Sequence, residues 1–369
     1  MIWRETMIRI LVVETTEFGY DGISNVVSNY YTYMDQNRLH MDIVTINPIF
    51  GQLKNSLDVN GGKNYVLAYR NRNPIKYVNS LISILNKVKY DILHVHGCSA
   101  TMAVEMIAAY FSGVTVRIAH SHNTKCDHVT ADKILRPAFN AFYTHGFACG
   151  QEAGEWLFGD KKFHIILNGI DVDKFRFNEK VRSLMQKNNA LEEKLIIGHV
   201  GRFSEQKNHR KLIDIFTEIA KIRRNAKLVL IGDGELRTEI EAIATKRQLD
   251  VLFVGLSDEV EKWLQAFDVV VFPSLFEGLP LGLVEAQAAC LPCLLSDTIS
   301  PMTRITDLVE FESLDSSDGK WAQKVLQMVE CSDRCGKSKA IEQQIKDNRF
   351  DIRENCNELV CLYMDLLKG

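Results

Sequence analysis

Two carboxylates stand in a stretch that otherwise reads as buried. LFEGLPLGLVEAQA, Leu275–Ala288, carries Glu277 and Glu285 with glycines and a proline between them. The flanking apolar residues send this segment toward an interior, where an ionised group needs partners. A carboxylate only accepts hydrogen bonds and can take two hydroxyls at once, which suits a polyol such as a sugar. Pro280 fits an early helical position, where its missing N–H costs nothing. The helix is expected from about Leu281 to Ala289, with Glu277 in the loop ahead of it and Glu285 inside it. The amides of Gly278 and Leu279 would then be free at the positive end, open to a pyrophosphate or a hydroxyl.

A second cluster is GRFSEQKN, Gly201–Asn208. Gly201 permits close backbone approach, Arg202 and Lys207 supply two cations, and a helix from about Asn208 adds its N-terminus. Together they make an anion site for phosphates. Histidines form the third group: HVH (His94–His96) and HSHN (His120–Asn123), each at the end of a strand-like run. His120 and His122, two apart on a strand, face the same way. A metal-dependent hydrolase could use His94 and His96 with such further ligands, but that reading gives the glutamate and Arg/Lys motifs no task. DVD (Asp171–Asp173) suits a turn or cap better than a metal site. CLPC (Cys290–Cys293) follows a helix C-terminus, which raises thiol pKa values and argues for packing rather than redox chemistry. GDGELR lacks the third glycine of a dinucleotide fingerprint.

These motifs need elements to position them. Ile8–Glu14, Met41–Ile46, Asp91–Gly97, Val114–His122 and His145–Gly150 read as strands, with helical patterns between several of them, such as 23–35. A second series comprises Leu195–Gly201, Lys227–Gly234, Val251–Gly255, Val269–Ser274 and Pro292–Asp297, with a helix over 212–223. The charged, amide-rich segment Lys174–Lys194 between the two series reads as a connector. Alternation of this kind predicts two α/β units with parallel sheets, whose chemistry sits outside the carboxyl ends of the strands.

The 369 residues are 46% hydrophobic and 25% charged with net charge −3, which fits two globular domains and no extensive disorder. That net charge makes the whole chain no electrostatic trap for nucleic acid, although the balance is uneven: residues 1–170 hold 16 Lys+Arg against 14 Asp+Glu and the remainder 28 against 33. Nine cysteines in no framework spacing indicate free thiols in a reducing cytoplasm. Met1–Thr6 (MIWRET) lacks the apolar segment of a leader, and no apolar run is long enough to span a bilayer. Tyr69–Tyr90 places Arg70, Arg72 and Lys76 ahead of Ile75, Val78, Ile82 and Leu85 at helical spacing. That pattern suits peripheral contact with an anionic bilayer or packing on the chain's own sheet.

The order and spacing of GRFSEQKN, IGDGELR, PSLFEGLPLGLVEAQA, NGID and the LSD after CLPCL resemble the family 4 retaining glycosyltransferases, over nearly the whole chain. Glu277 and Glu285, separated by seven residues, match the family's paired glutamates. The resemblance implies an α/β protein of GT-B type, two Rossmann-like doubly wound parallel-sheet domains facing across a cleft. Residues 1–173 would be the acceptor side and 174–350 the donor side, with a C-terminal helix in 351–369 packing back toward the first. It implies transfer of a sugar from a nucleotide-sugar, a UDP-sugar foremost, to a glycan or lipid-linked glycan in surface-polysaccharide synthesis, without a divalent metal. Arg202 and Lys207 would take the pyrophosphate, and Glu277 with the amides of Gly278, Leu279 and Leu281 after Pro280 would take the sugar. Glu285 would take the ribose, Gly201, Gly232 and Gly234 would line the cleft, and Gly255 and Leu256 would meet the base. His122 or His120 would hold a sugar hydroxyl from the other domain. The Gly19–Tyr20–Gly22 loop, reading FGYDG, departs from the family's paired glycines on the acceptor side. A nucleotide-sugar epimerase of similar shape would bind the same donor without an acceptor.

Overall fold

A computed structural model describes residues 7–20, 22–126 and 128–368. The stretch Met1–Thr6 and Asp21 of the glycine loop lie outside the described residues. The chain forms two compact units, the first running to Gly169 and resuming at Ile352, the second Ile170–Asp351. Residues 170–173, placed with the first domain by sequence, belong to the second unit.

The first unit holds seven parallel strands: β1 (Ile8–Glu14), β2 (Leu39–Thr45), β3 (Asn64–Val66), β4 (Ile92–Gly97), β5 (Val116–Ser121), β6 (His145–Ala148) and β7 (His164–Ile165). Their spatial order is 3-2-1-4-5-6-7. The central strands are almost wholly buried, as parallel strands covered on both faces must be, which is why they read as continuous Val/Ile/Leu runs. The last helix of the chain, Ile352–Leu366, also packs in this unit, burying Ile352, Cys356, Leu359, Val360 and Tyr363.

The second unit holds β8 (Leu195–Val200), β9 (Ala226–Ile231), β10 (Val251–Gly255), β11 (Val269–Phe272), β12 (Cys293–Ser296) and β13 (Val309–Glu312), ordered 10-9-8-11-12-13 and also parallel. Chain order reverses direction between β1 and β4 and between β8 and β11, so each sheet has one switch point at which loops diverge and leave a crevice.

One expectation changes, and of the two readings of Tyr69–Tyr90 the structure shows packing on the chain's own core. The connector over Lys174–Lys194 contains helices Val172–Phe175 and Glu179–Asn188, the latter capped by the Asn178 side chain. The helix Glu179–Asn188 buries only Met185, so it carries little apolar period. It is held through Arg182, which donates to the carbonyls of Gln265, Ala266 and Phe267 and pairs with Asp268. The helix Pro74–Lys87, capped by Asn73, turns Tyr77, Leu81 and Leu85 into the core and packs Val78 and Ile82 against it. Arg70 is buried in an ion pair with Glu105 at 2.7 Å, which removes it from any lipid-facing surface. Arg72, Ile75 and Lys76 remain exposed.

Candidate functional site

The second unit's switch point is closed by side chains. After β8 the chain makes one 3-10 turn, Glu205–Lys207, and enters the helix His209–Ile222. Asn208 joins the two at φ 53°, a left-handed conformation that asparagine tolerates better than most residues. The loop after β11 is stitched to this turn. Leu275 N–H donates to the Gln206 carbonyl (2.8 Å), and Gln206 Nε2 donates to the Phe276 carbonyl (3.1 Å). Lys207 Nζ then lies 2.5 Å from Glu277 Oε1, with side chains 16% and 8% exposed. Gln206 Nε2 donates to Glu277 Oε2 at 3.2 Å. The Glu277 carbonyl accepts from Ser300 N–H (3.0 Å), tying in the loop after β12.

Three glycines end adjacent strands. Gly201 N–H donates to the Ile231 carbonyl and Gly232 N–H to that of Gly255, both at 2.9 Å. At Gly232, φ is 135° and a Cβ would stand 2.1 Å from the Gly201 carbonyl oxygen; at Gly234, φ is 157° and a Cβ would stand 2.6 Å from that of Phe203. The loop after β9 therefore crosses the loop after β8 in backbone contact, which only glycine permits. Leu256, following Gly255, is exposed. Arg202 is 73% exposed beside Glu235 at 3.2 Å, a surface pair weak enough to yield to a stronger anion.

Pro280 is the residue before the helix, with ψ 130°, rather than its first member; the helix runs Leu281–Ala288. A ψ of 130° there keeps the chain extended through Pro280. A Cβ at Gly278 or Gly282 would meet nothing within 4 Å, so the helix start borders open space. Burial pushes the Glu285 carboxyl up to about 7, with Lys174 pulling it down and Glu261 adding to the rise. Those two neighbours pair with each other at 3.5 Å.

In the first unit, register aligns Glu14, His96 and His120 across β1, β4 and β5. Four imidazoles meet on this face. His94 Nδ1 lies 2.6 Å from the Tyr363 hydroxyl and its Nε2 3.1 Å from His120 Nδ1, while His96 Nδ1 lies 2.9 Å from His122 Nε2. Burial pushes His94 and His122 down to about 3 and the other two well below the usual range, so all four are neutral near pH 7. His94, His96 and His120 hold ligand atoms within 4.8 Å of one another. Yet His94 stacks on His96 at 4.3 Å and 26°, which directs their lone pairs along near-parallel planes, and both His94 nitrogens are engaged. Hydrogen bonds join His94 to Tyr363 and His120, and His96 to His122. Nearby, Gly19 N–H donates to Ser24 Oγ (3.0 Å), Tyr20 leans on Phe50, and Gly22 opens the helix Gly22–Tyr33.

The structure thus gathers Gly201, Lys207, Gly232, Gly255 and Glu277 in one unit, and the histidines with the Gly19 loop in the other. Gln206 was missed, though an amide between the two cations of GRFSEQKN was there to be read; Lys174, which acts on Glu285, lay in the presumed connector. Asp171 caps a helix by accepting from Lys174 N–H (3.2 Å). Cys290 and Cys293 are buried free thiols, both pushed up by burial.

The family model of the glycosyl transferases group 1 matches residues 180–347. The putative glycosyltransferase EpsF of Bacillus subtilis (strain 168) is 32% identical over 362 residues, covering 93% of both chains. The chain belongs to the group 1 glycosyl transferases. The Escherichia coli UDP-Gal:alpha-D-GlcNAc-diphosphoundecaprenol alpha-1,3-galactosyltransferase is 30% identical over 333 residues, 81% of this chain and 82% of the relative. Anabaena Alr3699/HepE in complex with UDP-glucose superposes with a TM-score of 0.77 over 97% of this chain and 99% of its own, at 17% identity, a likeness of fold. This glycosyltransferase has the GT-B architecture, and glycosyl transfer displaces the hydrolase reading of His94 and His96 and the epimerase reading. Among the described residues no helix is long and apolar enough to cross a membrane.

Glu285 makes stability depend on pH. Its native pKa lies above the unfolded value of about 4.3, so the native state holds the proton longer and loses stability as pH rises from about 4.5 to about 7. Thermal melts of Glu285→Gln and wild type should agree near pH 4.5, and at pH 8 the variant should melt higher. Melts that stay parallel across this range would show that the carboxylate carries no burial penalty.

Proposed function

We propose that this glycosyltransferase moves a sugar from a UDP-sugar to a lipid-linked glycan, with retention at the anomeric carbon, in cytoplasmic assembly of a surface polysaccharide. The observation that carries this reading is the Lys207–Glu277 pair at the switch point between β8 and β11. It sets a cation and a carboxylate side by side, as a diphosphate next to a sugar requires. The Anabaena neighbour's complexes with UDP and UDP-glucose support a UDP-sugar. The Escherichia coli relative, which acts on a diphosphoundecaprenol-linked sugar, supports a lipid-linked acceptor.

In this reading Arg202 swings from Glu235 to the pyrophosphate, and Lys207 reaches it with the N–H donors that Glu277 leaves free. The helix start at Gly278–Leu281 adds amides. These fixed charges do the work of a metal ion, so none is required. Glu277 holds the sugar and stabilises positive charge developing on its ring; Glu285 accepts from the ribose hydroxyls; Gly255 and Leu256 border the base; His122, with His120 as the second candidate, meets a sugar hydroxyl. The new bond leaves the sugar face that the diphosphate leaves, so no base is needed opposite.

Glu277→Gln should lower turnover far more than donor affinity, while Glu285→Gln should chiefly weaken UDP binding, by roughly tenfold for one charge-assisted bond of about 1.5 kcal/mol. Kinetics near wild type in both variants, or an inverted anomer in the product, would overturn the assignment. Turnover should persist in excess EDTA; a strict Mn²⁺ or Mg²⁺ requirement would return attention to the histidines. Peripheral docking at the inner membrane face, through exposed Arg72, Ile75 and Lys76, follows from a lipid-linked acceptor. Flotation with anionic vesicles at low salt should carry the protein, and its absence from the floated fraction would discard the docking.

A further inference from the structure

We propose that His96 is a positioning residue for His122, an inference that rests on the reading that His122 meets the donor sugar. His122 lies just past the end of β5, half-buried, where a side chain is free to rotate unless something holds it. Two consecutive residues of β4 hold it. Its backbone N–H donates to the Gly97 carbonyl at 3.1 Å, and its ring Nε2 meets His96 Nδ1 at 2.9 Å. His96 is itself fixed. It is buried and stacked on His94 at 4.3 Å, and His94 is pinned at both nitrogens by the Tyr363 hydroxyl and His120. The chain of contacts runs from the last helix through β4 to the residue just past the carboxyl end of β5.

Two neutral imidazoles can form this bond only if one nitrogen carries a proton and the other a lone pair. If His96 Nδ1 donates, His122 Nε2 accepts and the proton of His122 sits on Nδ1. If His122 Nε2 donates, His96 keeps its proton on Nε2. Both rings therefore share one tautomer, and His122 Nδ1 is the nitrogen left for a ligand. His96 thus decides which atom of His122 is presented and whether it donates or accepts.

The pairing is read directly in the unaltered protein by ¹⁵N-histidine NMR. His96 and His122 should both appear as Nδ1–H or both as Nε2–H. A mixed pair would set two protons or two lone pairs face to face and would overturn the proposal. Kinetics test the consequence. In His96→Asn an amide takes the place of Nδ1, whereas in His96→Gln it lies near Nε2 and misses His122. H96Q should lower kcat by roughly 10- to 100-fold with donor KM changed less than about twofold, and H96N should recover most of the loss. The double variant H96Q/H122A should lose no more than H122A alone, because His96 acts through His122. Wild-type kcat in H122A would refute the donor-sugar reading and the proposal with it. Loss in H122A alongside equal H96N and H96Q, or fully additive losses, would refute the proposal and leave that reading standing.

Discussion

The second unit's site depends on one partly buried ion pair. Lys207 and Glu277 come from loops that leave different strands in diverging directions, and neither charge has enough water to be stable alone. Their attraction, reinforced by Gln206 on the second carboxylate oxygen, holds the loop after β8 against the loop after β11. Through the Glu277 carbonyl and Ser300 the same constraint extends to the loop after β12. Removing either partner would strand the other, so geometry and charge at this switch point cannot be altered separately. Burial also leaves the carboxylate little rotational freedom.

The two units build their sites by opposite electrostatic means. The second works chiefly with charges, exposed Arg202 and the paired Lys207 and Glu277, while burial pushes the Glu285 carboxyl up to about 7. The first works with neutral groups, four imidazoles and a phenol joined by hydrogen bonds. A low local dielectric strengthens the first unit's hydrogen bonds and suppresses protonation of its histidines.

The sequence showed most of this because parallel strands buried on both faces leave unbroken apolar runs, and because glycine positions and charges survive translation into structure. Ile8–Glu14 and Val251–Gly255 were read to the residue. The strands at Asn64–Val66, His164–Ile165 and Val309–Glu312 were not, since two to four edge residues carry no period. The helix Glu179–Asn188 escaped notice because its anchor is Arg182 reaching carbonyls rather than an apolar stripe. Glu277 and Lys207 were each singled out, but their pairing needs the crossing of two loops that lie far apart in sequence. Arg70 read as a surface cation because its partner, Glu105, lies 35 residues later in sequence, on the helix Ala103–Phe111.

The chain leaves the first unit at Gly169 and re-enters it at Ile352, so the second unit is an insertion within the first. Its ends meet: Ile170 N–H donates to the Phe350 carbonyl at 2.9 Å, and Ile170 bridges Asp351. The flanking residues meet as well, since a Cβ at Gly169 would stand 2.8 Å from Ile352 Cα. During synthesis the inserted unit therefore has all of its strands before the ribosome has made the helix that completes the earlier one. His94 waits for Tyr363, 269 residues later, to fill its last hydrogen bond, so the first sheet to be made is the last to be finished.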